Sequence, residues 1–281
     1  MFPNLPLPKN LASRDKMDYD MADGSQFSLR EVWRKTSPSD EDQPQFVYTS
    51  ISANVEGKAY FGRLDERAED ADEGDVLACL EAVPPEAIFP ESRDGLTEAP
   101  PFDPSKHYLK APSFTWDDCQ PGTTFVADCV LNEVNALEQL KDYKHANVVG
   151  YHGCVVADGR ITRICLERCQ SNIVDYVEEH EGSLIIQELI KDVETGIKFL
   201  HSLGFAHNDI NPSNICIAED GHAVIVDFDG CLSFGEPLMK GVSLKFSDNG
   251  RPISAAENDL RGLEDVEHFL MSLEPPKKIL D

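Results

Sequence analysis

One short stretch, residues 207–230, constrains the fold and the chemistry of this chain more than any other part of the sequence. It reads H-N-D-I-N-P-S-N-I-C-I-A-E-D-G-H-A-V-I-V-D-F-D-G, with Asp209 and Asn214 five positions apart and Asp227 thirteen positions after Asn214. The apolar residues in between are interrupted by an Asp-Gly pair, which predicts a tight hairpin. The hairpin would bring three polar side chains to one place.

These residue types at this spacing indicate phosphoryl transfer, a reaction that needs an oriented hydroxyl and neutralised charge more than covalent help. Asp209 is predicted to orient the hydroxyl and accept its proton. Asn214 and Asp227 would give oxygen ligands to Mg²⁺, a hard cation. His207 is predicted to be a buried structural ring. A lone Asp or Asn in a loop is most often a turn former or a helix cap, so the joint pattern carries the prediction.

Length and composition limit the function classes. The chain has 281 residues, 41% of them hydrophobic, which is enough for one two-lobed domain with a packed core. A formal net charge of −26 without any basic stripe argues against a nucleic-acid partner. The eight cysteines form no CxxC pair, so reduced thiols in the cytoplasm or nucleus are expected. No apolar run approaches the roughly 18 residues of a spanning helix, so no membrane partner is expected.

The N-terminal part is irregular in pattern. Residues 1–45 are polar and rich in Pro, Asp and Ser, and are predicted to be a flexible leader with one short helix around residues 29–33. Residues 46–106 are predicted to be an irregular extension. Its parts are two strands within 46–64 joined by Glu56-Gly57, an acidic mobile linker at 65–73, a short helix at 76–80 and a Pro-rich segment.

From residue 107 onward the pattern becomes regular. The predicted elements are a strand at 107–110, a helix at 126–141, strands at 148–156 and 161–167 joined by a tight turn, and a helix at 183–200 capped by Ser183. The last helix leads directly into residues 207–214, here termed the catalytic loop. Residues 226–230 are termed the metal loop.

This order of motifs resembles a eukaryotic-type protein kinase over residues 108–270. The resemblance is carried by Glu133-Val134, by H-A-N-V-V at 145–149 and by F-L-H-S-L-G-F-A-H-N-D at 199–209. The H-N-D-I-N-P-S-N-I loop, the D-F-D motif and the Pro-rich segment are especially similar to a group of short filamentous-fungal protein-kinase-like proteins. The resemblance implies an α+β, two-lobed protein kinase-like fold at 107–281. A small, mainly β N-lobe would cover 107–168 and a truncated, mainly α C-lobe 169–281.

The resemblance also implies a set of binding residues. Lys110 would hold the α- and β-phosphates of ATP, with Glu133 as its partner. Glu167 and Cys169 would lie in the hinge whose backbone meets adenine, and Asp259 would hold the backbone of the catalytic loop by hydrogen bonds. The implied cofactors are ATP and Mg²⁺ or Mn²⁺, and the implied partner is an unidentified protein acceptor.

Departures from the family pattern bear on activity. No G-x-G-x-x-G loop precedes Lys110, and Gly57 and Gly62 are interpreted as hairpin glycines. Asn211, predicted with Asp209 to belong to the catalytic residues, stands where protein kinases usually carry lysine, so slow catalysis is expected. Asp229 replaces a glycine and would add a metal ligand or alter the loop backbone.

Control by phosphorylation is not expected from the sequence. Asn208 follows His207 where an arginine would receive an activation-segment phosphate, so a phosphate on Ser233 or Ser243 would have no such partner.

Three functions stay open. An ATP- and Mg²⁺-dependent Ser/Thr protein kinase is favoured because Asp209, Asn214 and Asp227 form a complete set. A small-molecule kinase of the aminoglycoside or choline kinase type also lacks the glycine loop, and its I-D-F-D motif resembles V-D-F-D at 226–229. A pseudokinase scaffold that binds a partner would fit the missing glycine loop and the short C-lobe.

Overall fold

The computed structural model describes residues 17–20, 26–34, 44–55, 57–119, 122–179, 186–238 and 252–272. The strands are β1 (Met17–Asp20), β2 (Gln26–Arg34), β3 (Gln45–Val55), β4 (Lys58–Leu64), β5 (Glu81–Ala82), β6 (His107–Lys110), β7 (Tyr151–Ala157), β8 (Arg160–Glu167), β9 (Ser171–Asn172), β10 (Phe205–Ala206), β11 (Ile215–Ile217), β12 (Ala223–Ile225) and β13 (Leu232–Ser233). The helices are α1 (Glu73–Cys79), α2 (Pro85–Ile88), α3 (Phe125–Leu140), α4 (Ile173–Glu179), α5 (Ile186–Ser202) and α6 (Ala256–Ser272). Short 3₁₀ helices cover Trp116–Cys119, Pro212–Asn214 and Phe228–Gly230.

The chain divides into two compact units. The first comprises residues 1–95, 109–130 and 155–163, and the second comprises residues 96–108, 131–154 and 164–281. The mixture of helices and antiparallel sheets is the α+β class predicted from the sequence. The predicted domain boundaries at residues 45, 106 and 168 are not tested by this division and stay predictions. Among the described residues, no helix combines the length and apolarity needed to span a membrane.

The first unit is built on a five-stranded antiparallel sheet in the order β1-β2-β3-β4-β5. Alternate residues of a strand point to the same face, so one apolar residue in every two suffices to form a core. The residues buried together are Phe27, Leu29, Ile51, Ala53, Val55, Tyr60, Ala68, Val76 and Leu80. Gly57 has a φ of +75° in the turn between β3 and β4, which confirms its interpretation as a hairpin glycine.

The short helix predicted around residues 29–33 is wrong, because these residues belong to β2. Phe27 and Leu29 are buried at a period of two, and β2 pairs with β3 along its length, Leu29 opposite Ile51. Pairing with a distant strand therefore overrides the local pattern. Within the predicted leader, Met17–Asp20 and Gln26–Arg34 are strands, and residues 1–16, 21–25 and 35–43 lie outside the described residues.

The acidic segment at 65–73 exposes Asp65, Glu69, Asp70 and Asp72, as its composition predicts, but it is attached to the sheet of the first unit. Arg67 Nε donates to Glu31 Oε1 of β2 at 2.6 Å, and Ala68 is buried against the sheet. Glu66 accepts a hydrogen bond at its backbone carbonyl from Thr49 Oγ1 at 2.7 Å. One cation and one small apolar residue therefore attach an otherwise acidic segment to the strands.

The tight turn predicted between β7 and β8 is confirmed. Asp158 has a φ of +50° and Gly159 a φ of +76°. Two successive residues with positive φ are typical of the type I′ turn that closes tight hairpins, for which Asp-Gly is a favoured pair. The strands β6, β8 and β7 form a three-stranded sheet in that order.

The second unit contains the hairpin and the helix that position residues 207–230. Helix α5 buries a stripe at spacings of three and four residues, as predicted, and the predicted cap Ser183 lies outside the described residues. Strands β11 and β12 are antiparallel, with Ile215 opposite Ile225, and Gly221 has a φ of +86° in the loop that joins them. The hairpin predicted from the spacing of Asn214 and Asp227 is therefore confirmed.

Candidate active site

The catalytic loop is held by hydrogen bonds among its own residues. Asn214 donates from Nδ2 to the Asp209 carboxylate at 2.9 Å and to the Asp209 carbonyl at 2.8 Å. Asn211 donates to the same carbonyl at 3.1 Å, and its Oδ1 accepts from the Ser213 backbone N–H at 2.9 Å. Pro212, whose ring fixes φ, begins the 3₁₀ turn. These bonds fix the orientation of the Asp209 carboxylate. Because Asn214 donates through Nδ2, its Oδ1 is the atom of the amide that can act as an acceptor.

The metal loop begins directly after β12. The Val226 backbone N–H donates to the Asn214 carbonyl at 3.0 Å. This bond joins the backbone of one predicted metal ligand, Asn214, to the residue directly before the other, Asp227. Asp227 has the left-handed backbone conformation, with φ +65° and ψ +79°. A non-glycine residue in this region persists only where its surroundings hold it, and such residues cluster at functional sites.

Helix α3 provides part of that support. Glu133 is 3% exposed, and its Oε1 accepts from the Phe228 backbone N–H at 3.2 Å. Asn132 donates from Nδ2 to the Asp229 carbonyl, and the Phe228 ring is fully buried. Two neighbouring side chains of α3 therefore fix the residues that follow Asp227. The sequence interpretation missed Asn132, because its partner lies far along the chain.

Asp259, in the first turn of α6, holds the backbone of the catalytic loop as predicted. It is 0% exposed and accepts from the His207 N–H at 2.9 Å and from the Asn208 N–H at 2.6 Å. His201 Nε2 lies 2.8 Å from the same carboxylate. These three contacts join α5, α6 and the catalytic loop.

His207 has the structural role predicted for it. Its ring is fully buried, and Nε2 donates to the Val226 carbonyl at 3.0 Å, directly before Asp227. The ring also packs edge-on against Phe228, with centroids 5.0 Å apart. His207 therefore joins the catalytic loop to the metal loop.

The electrostatics of the site centre on Asp209. Burial raises the pKa of its carboxyl above the ordinary value, and the negative charges of Asp227 and Asp229 raise it further. His207 and the hydrogen bond from Asn214 act in the opposite direction without cancelling the rise in pKa. Negative charge is therefore crowded here, as expected where a cation binds.

The donor set fits a magnesium ion shared with a nucleotide. Mg²⁺ commonly takes one or two protein oxygen ligands and completes its shell with phosphates and water. Asn214 Oδ1 and the Asp227 carboxylate would be two such ligands. Across the described residues, three or more His, Cys, Asp or Glu side chains do not converge in a metal-binding cluster.

The remaining predicted binding residues lie elsewhere in the two units. Lys110 ends β6 in the first unit, whereas Glu133 belongs to the second, and their pairing stays a prediction. Glu167 ends β8 and donates from its backbone N–H to the Gly150 carbonyl at 2.7 Å. Cys169 receives a hydrogen bond from Cys216, which lowers the Cys169 pKa. The proposed contact of the 167–169 backbone with adenine also stays a prediction.

Helix α6 approaches the catalytic loop so closely at Gly262 that a side chain would not fit. A Cβ atom there would lie 2.2 Å from the Ile210 carbonyl oxygen and 2.7 Å from the Ile210 Cβ. In an exposed helix, Gly→Ala stabilises by about 0.5–1 kcal/mol. At this position the added methyl must displace the catalytic-loop backbone.

We expect Gly262→Ala to lower the free energy of unfolding by about 1–3 kcal/mol, the usual cost of overpacking, when measured by urea denaturation. Glu264→Ala, at an exposed position of α6, serves as the control and should change it by no more than about 0.5 kcal/mol. A Gly262→Ala protein as stable as the wild type would contradict the close approach.

Comparison with known proteins finds similarity over a part of the chain that contains both the catalytic loop and the metal loop. Residues 120–240 match the family model described as protein kinase domain. A probable protein kinase of Dictyostelium discoideum is 42% identical over 95 residues, 32% of this chain and 9% of that protein. Mitogen-activated protein kinase kinase kinase kinase 3 of Rattus norvegicus is 33% identical over 92 residues, 32% of this chain and 10% of that protein. Serine/threonine-protein kinase Tao of Drosophila melanogaster is 31% identical over 102 residues, 35% of this chain and 9% of that protein.

The similarity is partial in both directions. The family match covers less than half of the chain, and each matched stretch covers about a tenth of the relative. The chain has an α+β fold that is protein kinase-like, and both loops fall within the matched residues.

Proposed function

We propose that this chain is an ATP- and Mg²⁺-dependent phosphotransferase of the protein kinase type, acting on serine or threonine hydroxyls of a protein acceptor. The observation that supports it most directly is the joined geometry of the two loops. Asn214 bonds to the Asp209 carboxylate, and the backbone next to Asp227 bonds to Asn214. These bonds support the proposal because they connect Asp209 to Asn214 and Asn214 to the backbone directly before Asp227.

In the proposed mechanism, Asp209 orients the acceptor hydroxyl and takes its proton. The hydrogen bond from Asn214 fixes the carboxylate, and the raised pKa of Asp209 brings it nearer to the working pH, where a general base is most effective. Asn214 and Asp227 would hold Mg²⁺, which neutralises charge on the phosphates when bound. Asn211 bonds within the loop through both ends of its amide, so we propose that it supports Asp209 by holding the loop.

The remaining parts of the proposal rest on the family resemblance. Lys110 would bind the α- and β-phosphates with Glu133 as its partner, and the backbone of Glu167 and Cys169 would meet adenine. We also propose that the chain is one of the short fungal protein-kinase-like proteins, acts in the cytoplasm or nucleus, and has no nucleic-acid or membrane partner.

The experiment that tests this function is transfer of label from γ-³²P-ATP. The purified chain is incubated with Mg²⁺ or Mn²⁺ alone, with casein and myelin basic protein, and with choline and aminoglycosides. We expect label on serine or threonine of protein, abolished by metal chelation. Asp220→Asn, an exposed position in the β11–β12 loop, should transfer like the wild type.

Other outcomes separate the alternative functions. Label that passes only to choline or an aminoglycoside would replace the proposal with a small-molecule kinase, which the V-D-F-D motif favours. A nucleotide-dependent rise in the melting temperature without transfer to any acceptor would indicate a pseudokinase scaffold.

A further inference from the structure

Asn208 lies between His207 and Asp209 and is almost completely buried, at 2% exposure. Its φ of +65° is in the left-handed region, which asparagine tolerates better than most residues and glycine tolerates freely. Its backbone N–H donates to Asp259 at 2.6 Å. The backbone conformation alone would therefore accept glycine or asparagine, and the side chain needs a separate explanation.

The amide nitrogen of Asn208 lies within hydrogen-bond distance of three acceptors, which share its two N–H protons. Nδ2 lies 3.0 Å from the Ala206 carbonyl, 2.9 Å from the Gly230 carbonyl and 3.0 Å from Ser254 Oγ. Ser254 donates its own hydroxyl proton to the Leu232 carbonyl at 2.9 Å, so its oxygen is an acceptor toward Asn208. These bonds reach the metal loop at Gly230 and the chain that precedes α6.

The amide oxygen of Asn208 faces donors from α6 and the chain before it. Oδ1 accepts from Asn258 Nδ2 at 2.9 Å and from the Ala255 N–H at 3.3 Å. Asn258 Nδ2 also donates to the Ile253 carbonyl at 2.9 Å. One uncharged, buried side chain is thus bonded to the metal loop, to the segment before α6 and to α6 itself.

From this network we infer that Asn208 is a positioning residue, which sets Asp209 and the metal loop in their working arrangement through uncharged hydrogen bonds. The inference rests on the proposed function. A buried, fully bonded amide holds its partners without the cost of burying a charge.

The test uses two substitutions that separate the side chain from the backbone. Asn208→Gly keeps the left-handed conformation accessible and removes every side-chain bond. Asn208→Asp keeps the shape and an accepting oxygen, but turns a carboxylate toward the carbonyls of Ala206 and Gly230. We expect both to lower kcat by about 10- to 100-fold, the effect of misplaced reacting groups, with the KM for ATP changed by less than about threefold.

The matched control is Ile197→Val, a small change in the buried stripe of α5. It should lower the melting temperature while leaving kcat unchanged at temperatures well below melting. Asn258→Ala removes one bond to Asn208 Oδ1, so its effect on kcat should be smaller and should not add to that of Asn208→Gly.

One result would overturn the inference. It is an Asn208→Gly protein with a lowered melting temperature but a kcat within about twofold of the wild type, which would mean a purely structural role. If the wild type transfers no phosphoryl group, the proposed function fails, and hydrogen exchange then decides on Asn208. The amides of residues 228–231 should lose protection in Asn208→Gly but not in Ile197→Val.

Discussion

Asp209→Asn is expected to lower kcat for phosphoryl transfer by about 10²- to 10⁴-fold, the usual contribution of a positioned general base, and at the same time to raise the melting temperature. The loss of activity follows because an amide cannot accept the hydroxyl proton. The gain in stability follows because burial and the charges of Asp227 and Asp229 disfavour the carboxylate in the folded state. Asn214 can still donate to the amide oxygen that replaces the carboxylate.

The dependence of this stability gain on pH has a definite sign. The folded-state pKa of Asp209 is raised above the ordinary value of 3.8, so the unfolded chain releases this proton first as the pH rises. The free energy of unfolding of the wild type therefore decreases as the pH rises from the unfolded-state to the folded-state pKa of Asp209. The Asp209→Asn protein lacks this decrease. Melting curves at pH 3.5 to 7 measure the difference, with Asp220→Asn as the control. An unchanged kcat, or a lower melting temperature at pH 7, would contradict the role assigned to Asp209.

Asp259→Ala is expected to lower the free energy of unfolding by about 3–5 kcal/mol, as for other buried charged partners whose removal leaves donors unsatisfied. The fully buried carboxylate accepts from the backbone of His207 and Asn208 and contacts His201, so three groups lose their partner. Urea denaturation at 25 °C measures the change. Asp265→Ala, at an exposed position of the same helix, should stay within about 0.5 kcal/mol of the wild type.

Asp259→Asn provides a second test that keeps the volume of the side chain. The single amide oxygen of asparagine can accept from only one of the two backbone N–H groups, those of His207 and Asn208. The amide nitrogen would then face the other N–H donor. We therefore expect a loss of stability between those of Asp265→Ala and Asp259→Ala. A loss below about 1 kcal/mol for Asp259→Ala would mean that the buried carboxylate does not support the catalytic loop.

Local patterns in the sequence were sufficient to predict the hairpin of β11 and β12 and the buried stripe of α5. Both depend on neighbours within one element or one turn, such as the Asp-Gly pair before His222 and the spacing of Leu189 and Val193. The structural roles of His207 and Asp259 were likewise predicted, from residue type and from family order.

Contacts between residues far apart in the sequence could not be predicted from local patterns. Residues 29–33 of β2 were predicted to be helical because nothing in their own sequence indicates pairing with β3, which lies beyond residues 35–43. The bond from Arg67 to Glu31, 36 positions away, likewise leaves no local signal. The bond from Asn132 to Asp229 joins residues 97 positions apart. The network around Asn208 was missed for the same reason, although an asparagine after His207 was itself noticed.

The central claim is that Asn214 and Asp227 hold the divalent cation of a bound nucleotide. Electron paramagnetic resonance of Mn²⁺, titrated into the full chain with and without ADP, tests it most directly. We expect Mn²⁺ to bind only in the presence of the nucleotide. Its binding should be at least about tenfold weaker in Asp227→Asn and in Asn214→Ala, as for the loss of a metal ligand or its support. Asp220→Asn should bind Mn²⁺ like the wild type. Mn²⁺ that binds Asp227→Asn as tightly as the wild type, or that fails to bind the wild type with ADP, would contradict the account.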